Sequence, residues 1–153
     1  MSSFDPSSFL DATITEATIK RPPIAAGTEL IGTITDVVSR EWVGKADPTK
    51  SGVAVDLKIE VDLSAYPDLL SSVGVPKLFL QDGIMLDLTP AKTIDTAPGK
   101  NGKLRRYRDA LGMNKAGEAF SFRMMTGRMI RVKLGHREYQ GDIFEEVAAV
   151  AKA

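Results

Sequence analysis

The sequence predicts a mainly β protein: a small Greek-key, OB-like barrel with one or two short helices and an extended N-terminal arm. Three observations predict it. Apolar and polar side chains alternate in several short runs, glycine-rich and polar turns separate those runs, and 153 residues is the length of one domain. Residues 1–26 are expected to be the arm and residues 27–153 the barrel domain.

The arm carries little apolar periodicity and ends in Lys20-Arg21-Pro22-Pro23. The two prolines enforce an extended backbone, so the arm is expected to hold at most a short helix near residues 7–12. From Thr28 to Val38, Ile31, Thr33, Ile34, Thr35, Val37 and Val38 make a β-branched first strand, with Gly32 as its expected bulge or tight coil. Val53, Val55, Leu57, Ile59, Val61 and Leu63 alternate with Ala54, Asp56, Lys58, Glu60 and Asp62. That is a half-buried antiparallel strand. Residues 44–52 have turn composition throughout, so these two strands are expected to form a long-looped hairpin with Trp42 at its base.

Leu78 to Leu88 reads as a third extended region, interrupted at Asp82-Gly83 by a tight turn or a bulge. Leu104, Tyr107 and Leu111 stand at helical spacing and Gly112 stops that helix; a second helical piece opens at Ser121 and stops at Gly127. Ile130, Val132 and Leu134 face inward on a strand whose Arg131 and Lys133 face outward, and a final strand lies near Ile143 to Val147. Tyr107 falls on the apolar stripe of its helix and reads as core.

Cysteine is absent, which removes disulfide frameworks, thiolate nucleophiles and cysteine-ligated metals. One histidine, His136, is too few for a multi-histidine metal site or for most triad chemistry, and it reads as a surface side chain. The apolar runs fall far short of the roughly 20 residues that span a bilayer, so no membrane partner is expected. Pro98-Gly99-Lys100-Asn101-Gly102-Lys103 looks phosphate-friendly, yet it lacks the earlier glycine and following hydroxyl of a P-loop. No Gly-x-Ser-x-Gly elbow occurs. Asp56, Glu60 and Asp62 share a strand face, but alternating acids on an exposed face are usually solvated, so no metal or other cofactor is expected.

The formal net charge of 0 hides an uneven distribution. Residues 1–99 carry 8 basic and 14 acidic side chains, residues 100–137 carry 11 against 2, and residues 138–153 carry 1 against 4. The middle segment is therefore +9 and also holds Tyr107, Phe120 and Phe122. Cations interleaved with aromatics suit a single-strand nucleic-acid groove. The competing reading pairs those cations with Asp56, Glu60 and Asp62, or with Glu145 and Glu146, as ordinary surface ion pairs.

Gly83 to Pro90, Pro98 to Asn101, Leu104 to Gly112 and Gly127 to Leu134 together resemble small tailed-bacteriophage proteins, including the phage OB-fold single-stranded DNA-binding group. In that group a helix ending in Leu-Gly precedes a strand opening on Gly-Arg or Gly-Lys. Gly27 to Ile34 is similar to its first strand, and Asp142 to Val147 to its closing one. The resemblance implies a non-catalytic single-stranded DNA-binding protein of the host cytoplasm. Arg105, Arg106, Arg108, Arg128, Arg131 and Lys133 are expected to meet phosphates, with Trp42 and Phe122 as stacking residues. The chain departs from the group in its arm and in its last residues, Ala148 to Ala153, which are not acidic. Both suit the alternative, a virion decoration (cement) protein whose arm crosses major capsid protein subunits. Either role is expected of a homo-oligomer.

Overall fold

A computed structural model describes residues 5–153. It is mainly β: five strands, β1 (Glu29–Val43), β2 (Ser51–Asp62), β3 (Lys77–Met85), β4 (Met129–Tyr139) and β5 (Asp142–Ala151), form one antiparallel sheet in the order β3-β2-β1-β4-β5. The sheet is open. β3 and β5 are its edges and run close to each other, but no ladder joins them.

The inward parity of the strands supplies the core. Ile34, Leu57, Ile59, Val61, Ile84, Ile130, Val132 and Leu134 are all buried, together with Leu30, Leu78 and Leu80. Burying this much branched aliphatic surface is the main stabilising term, at roughly 1.5–3 kcal/mol per side chain. Between β3 and β4 the helix α2 (Gly102–Ala110) lays Leu104, Tyr107 and Ala110 against that core and is stopped at Gly112, whose φ of +69° an L side chain rarely adopts. A 3-10 helix at Phe122–Met125 adds Met125 to the core.

Two glycines act differently from expectation. Gly32 is not a bulge: it pairs in register with Ile130, and a Cβ there would stand 2.7 Å from Ile59 Cγ2, so the glycine permits close packing onto β2. The irregularity falls instead between Ile34 and Asp36. Nor does Asp82-Gly83 interrupt β3, whose pairing with β2 runs unbroken from Lys77 to Met85. Gly83 lies opposite Asp56, and a Cβ there would come within 2.9 Å of the Asp56 carboxylate.

The sequence reading also missed α1 (Pro67–Val73), which has Pro at its start and Gly74 at φ +78° as its stop. The arm expected over residues 1–26 begins outside the described residues. Within them it carries a 3-10 helix at Pro6–Asp11 and is irregular and exposed from Ala12 to Pro23. Ile24 then drops into the core at 2% exposure. The Glu145 carboxylate holds that anchor by accepting from Arg21 Nη1 (2.6 Å) and Nη2 (2.8 Å) and from Ile24 N–H (2.9 Å). His136 Nε2 donates to the Ile24 carbonyl (2.6 Å), and Lys20 pairs with Asp142. Burial alone would push the Glu145 carboxyl up, but the bonds from Arg21 and Ile24 and the charge of Arg21 outweigh it and hold the group below the usual carboxylate range.

Candidate nucleic-acid interface

The outward parity of β1–β4 makes one continuous surface. Cross-strand neighbours run Phe79–Glu60–Thr33–Met129, with Lys77–Asp62 and Ile31–Arg131 in adjoining rows. Strands lie about 4.8 Å apart, so the row from Phe79 to Met129 is roughly 14 Å wide. Phe79 is 72% exposed and Met129 59%. A shallow groove of about 520 Å³ follows this surface between Thr33, Glu60, Tyr66 and Met129. Tyr66 is fixed there because its hydroxyl oxygen accepts from Ile31 N–H (2.8 Å).

Three acids on this face are already engaged. Asp56 accepts from Arg40 Nε at 2.7 Å, and Glu60 pairs with Lys77 at 2.7 Å, which raises the ammonium above its ordinary value chiefly through that hydrogen bond. Asp62 accepts from the Ser64 hydroxyl (2.7 Å) and N–H (3.0 Å), which lowers its carboxyl. Glu145 is taken by Arg21. All three cations lie outside residues 100–137. Among the described residues no group of three or more metal-ligating side chains is assembled.

The basic segment is matched only once. Lys103 Nζ donates to Asp82 Oδ1 (2.6 Å) and to the Gly83 carbonyl (2.8 Å), while the Tyr107 hydroxyl donates to Asp82 Oδ2 (2.5 Å). Burial, reinforced by the Asp82 carboxylate, pushes the Tyr107 phenol far above its ordinary value, so it remains a donor. No other cation between Lys100 and Arg137 has a carboxylate within 4 Å among the described residues. The self-pairing expected as the competing account of this charge is not what these acids do.

The expected contact residues divide into four places. Arg105 and Arg108 stand on the flank of α2 and, with Lys100, line a cleft of about 490 Å³ under the loop 94–101. Asn101, in the left-handed region at φ +51°, builds this loop. Its side chain accepts from Asp87 N–H (2.8 Å) and donates to the Asp87 (2.9 Å) and Asp95 (2.8 Å) carbonyls. Arg108 is itself held: its Nε donates to the Met113 carbonyl (3.0 Å) and its guanidinium lies 4.6 Å over the Phe120 ring. Phe122 meets Phe120 edge-on at 5.6 Å and packs against the core, so it stands behind the arginine.

Arg106 lies elsewhere on α2, beside Lys103 and the β5 residues Val147 to Val150. Arg131 and Lys133 are on the outer face of β4, opposite Ile31 and Glu29, and Arg128 is in the turn that leads into it. Trp42 is far from Arg131 and Lys133 along the sheet, although Val53, beside its partner Gly52, accepts from the Leu86 N–H at the start of the loop that leads to the cleft. It sits nine residues beyond Thr33 along β1, about 30 Å at strand rise, with its indole against Gly52, where a Cβ would come within 2.7 Å of Nε1. Phe79 and Met129 were missed as surface candidates. Their signal was present, since each occupies the parity opposite to Leu78, Leu80 and Ile130, where a polar residue is the norm.

Among the described residues no helix is long and apolar enough to cross a membrane. No family model matches the chain, and comparison with curated proteins finds no match.

Proposed function

We propose that the chain is an OB-like, non-catalytic single-stranded DNA-binding protein of the small phage type, acting in the host cytoplasm. The observation that carries this reading is the unmatched charge: among the described residues, ten of the eleven cations in residues 100–137 have no carboxylate within 4 Å, while Asp56, Glu60 and Glu145 are paired with cations outside that segment. Unpaired arginines and lysines are the groups that neutralise phosphates and release counterions. The strand order supports the barrel as well, because an OB barrel arises when β3 and β5 of a β3-β2-β1-β4-β5 sheet close on each other with a helix between β3 and β4.

In this reading the outer face of β1–β4 is the platform. Phe79 offers an exposed ring to a base, Arg131 and Lys133 follow the backbone on one side, and Arg105 and Arg108 receive it beyond the sheet. Titrating the protein into a labelled oligonucleotide at about 50 mM salt should give binding that weakens steeply with salt, with a log–log slope of several units. An oligonucleotide that is not bound, or that is bound equally well at high salt, sinks the proposal.

A further inference from the structure

Between Asp5 and Ile19 the arm carries Asp5, Asp11 and Glu16 and no basic side chain. Leu10, Ile14 and Ile19 are 86%, 80% and 85% exposed, and residues 10–19 make no side-chain hydrogen bond or ion pair among the described residues. Large aliphatic side chains gathered on a short segment that covers nothing mark a contact surface rather than a linker, whose composition is normally polar. The anchor at Lys20 to Ile24 fixes where the segment leaves the domain. Extended, its ten residues from Leu10 to Ile19 reach about 33 Å, which is enough to cross to a neighbouring molecule.

The domain offers a surface of the matching kind. The cleft under the loop 94–101 sets Lys100, Arg105 and Arg108 against a single acid, Asp95, whose carboxylate accepts from the Ala97 N–H, with apolar walls from Ile94, Pro98 and Leu104, and no described arm residue lines it. Among the described residues its cations have no carboxylate partner, and Arg108 is already fixed by Met113 and Phe120. We infer that the acidic, aliphatic arm of one molecule docks in this cleft of a second copy of the chain, placing Asp11 and Glu16 against the cations and Ile14 and Ile19 against the apolar walls. The contact is head-to-tail, and it covers Arg105 and Arg108, so the arm competes with any polyanion for them. The inference rests on the arm and cleft themselves and stands apart from the nucleic-acid reading.

Sedimentation velocity on the full chain at about 100 μM and 50 mM salt should show a concentration-dependent oligomer that weakens about ten-fold or more by 500 mM salt, because the contact is ionic and exposed. Asp11→Lys with Glu16→Lys should abolish it, as should Ile14→Ser with Ile19→Ser; all four positions are exposed, so circular dichroism should be unchanged. Lys100→Glu with Arg105→Glu should abolish it from the other side. Mixing this cleft variant with the Lys-bearing arm variant should restore association. A wild-type chain that is monomeric at 100 μM overturns the inference, and so does an oligomer that survives the arm variants. Arm binding within one molecule would appear as concentration-independent protection of the cleft and would equally overturn it. Oligonucleotide titration is read separately, so failure of the nucleic-acid proposal leaves these outcomes intact.

Discussion

The outer face of β2 and β3 and the basic segment from Lys100 to Arg137 treat charge in opposite ways. On the strands, acid and base meet locally: Arg40 with Asp56, Lys77 with Glu60. Among the described residues only Lys103 of the basic segment is answered, its half-exposed ammonium meeting the largely covered carboxylate of Asp82. The zero net charge therefore arises from a basic segment of +9 balanced by an acidic excess of −6 before it and −3 after it. Surface pairs of the first kind contribute little to stability, while the second kind leaves a positive field facing solvent that salt screens.

Removing the one acid that answers the basic segment should have the largest effect. Asp82→Ala leaves the buried Tyr107 hydroxyl without its partner and the Lys103 ammonium with the Gly83 carbonyl alone, and urea denaturation should show a loss of about 2–3 kcal/mol, chiefly the cost of orphaning the buried hydroxyl. Next comes the open region itself. Arg105→Glu with Arg131→Glu should weaken oligonucleotide binding by about 2–3 kcal/mol and reduce the salt slope by about two, with the melting temperature nearly unchanged. The corresponding change on the neutralised face, Lys77→Ala, should alter stability by under about 1 kcal/mol. An equal effect of the two on DNA affinity would erase the distinction between the regions.

How much of this was legible in the sequence follows the same physics. Val53 to Leu63 alternates cleanly because one face is core and the other water, and β2 covers nearly those residues. Leu104, Tyr107 and Gly112 located α2 for a similar reason. By contrast α1 is seven residues long, too short for a period to show, although Pro67 and Gly74 bracket it. Asp82-Gly83 read as a turn because the composition of a turn and of a crowded strand is the same: what places Gly83 in β3 is the space that Asp56 needs, a tertiary fact. The basic segment was legible as a sum of charges. Its dispersal over α2, β4 and the turn before it was not, because pairing between strands distant in sequence decides it. The arm's exit point was hidden likewise, since Glu145 lies 121 residues from Ile24.

A similarly small effect is expected at that anchor. The folded chain holds the Glu145 carboxyl below its ordinary range, so its contribution is complete above the unfolded value of about 4.3 and is lost as pH falls through the lower folded value. Glu145→Gln should cost about 1 kcal/mol near neutral pH, an amount reduced by solvent screening, and should flatten the acid limb of the stability profile. A variant with an unchanged acid limb would show that the arm is held by Ile24 and not by charge.

Trp42 is the only tryptophan, and its indole lies against Gly52 at the far end of the first hairpin, about 30 Å along β1 from Met129's partner. Its fluorescence is therefore a gauge of that tip alone. A melt followed at this wavelength registers fraying of β1 and β2, while far-ultraviolet circular dichroism registers the whole sheet. The gap between the two curves measures how independently the hairpin's end opens from the domain beneath it.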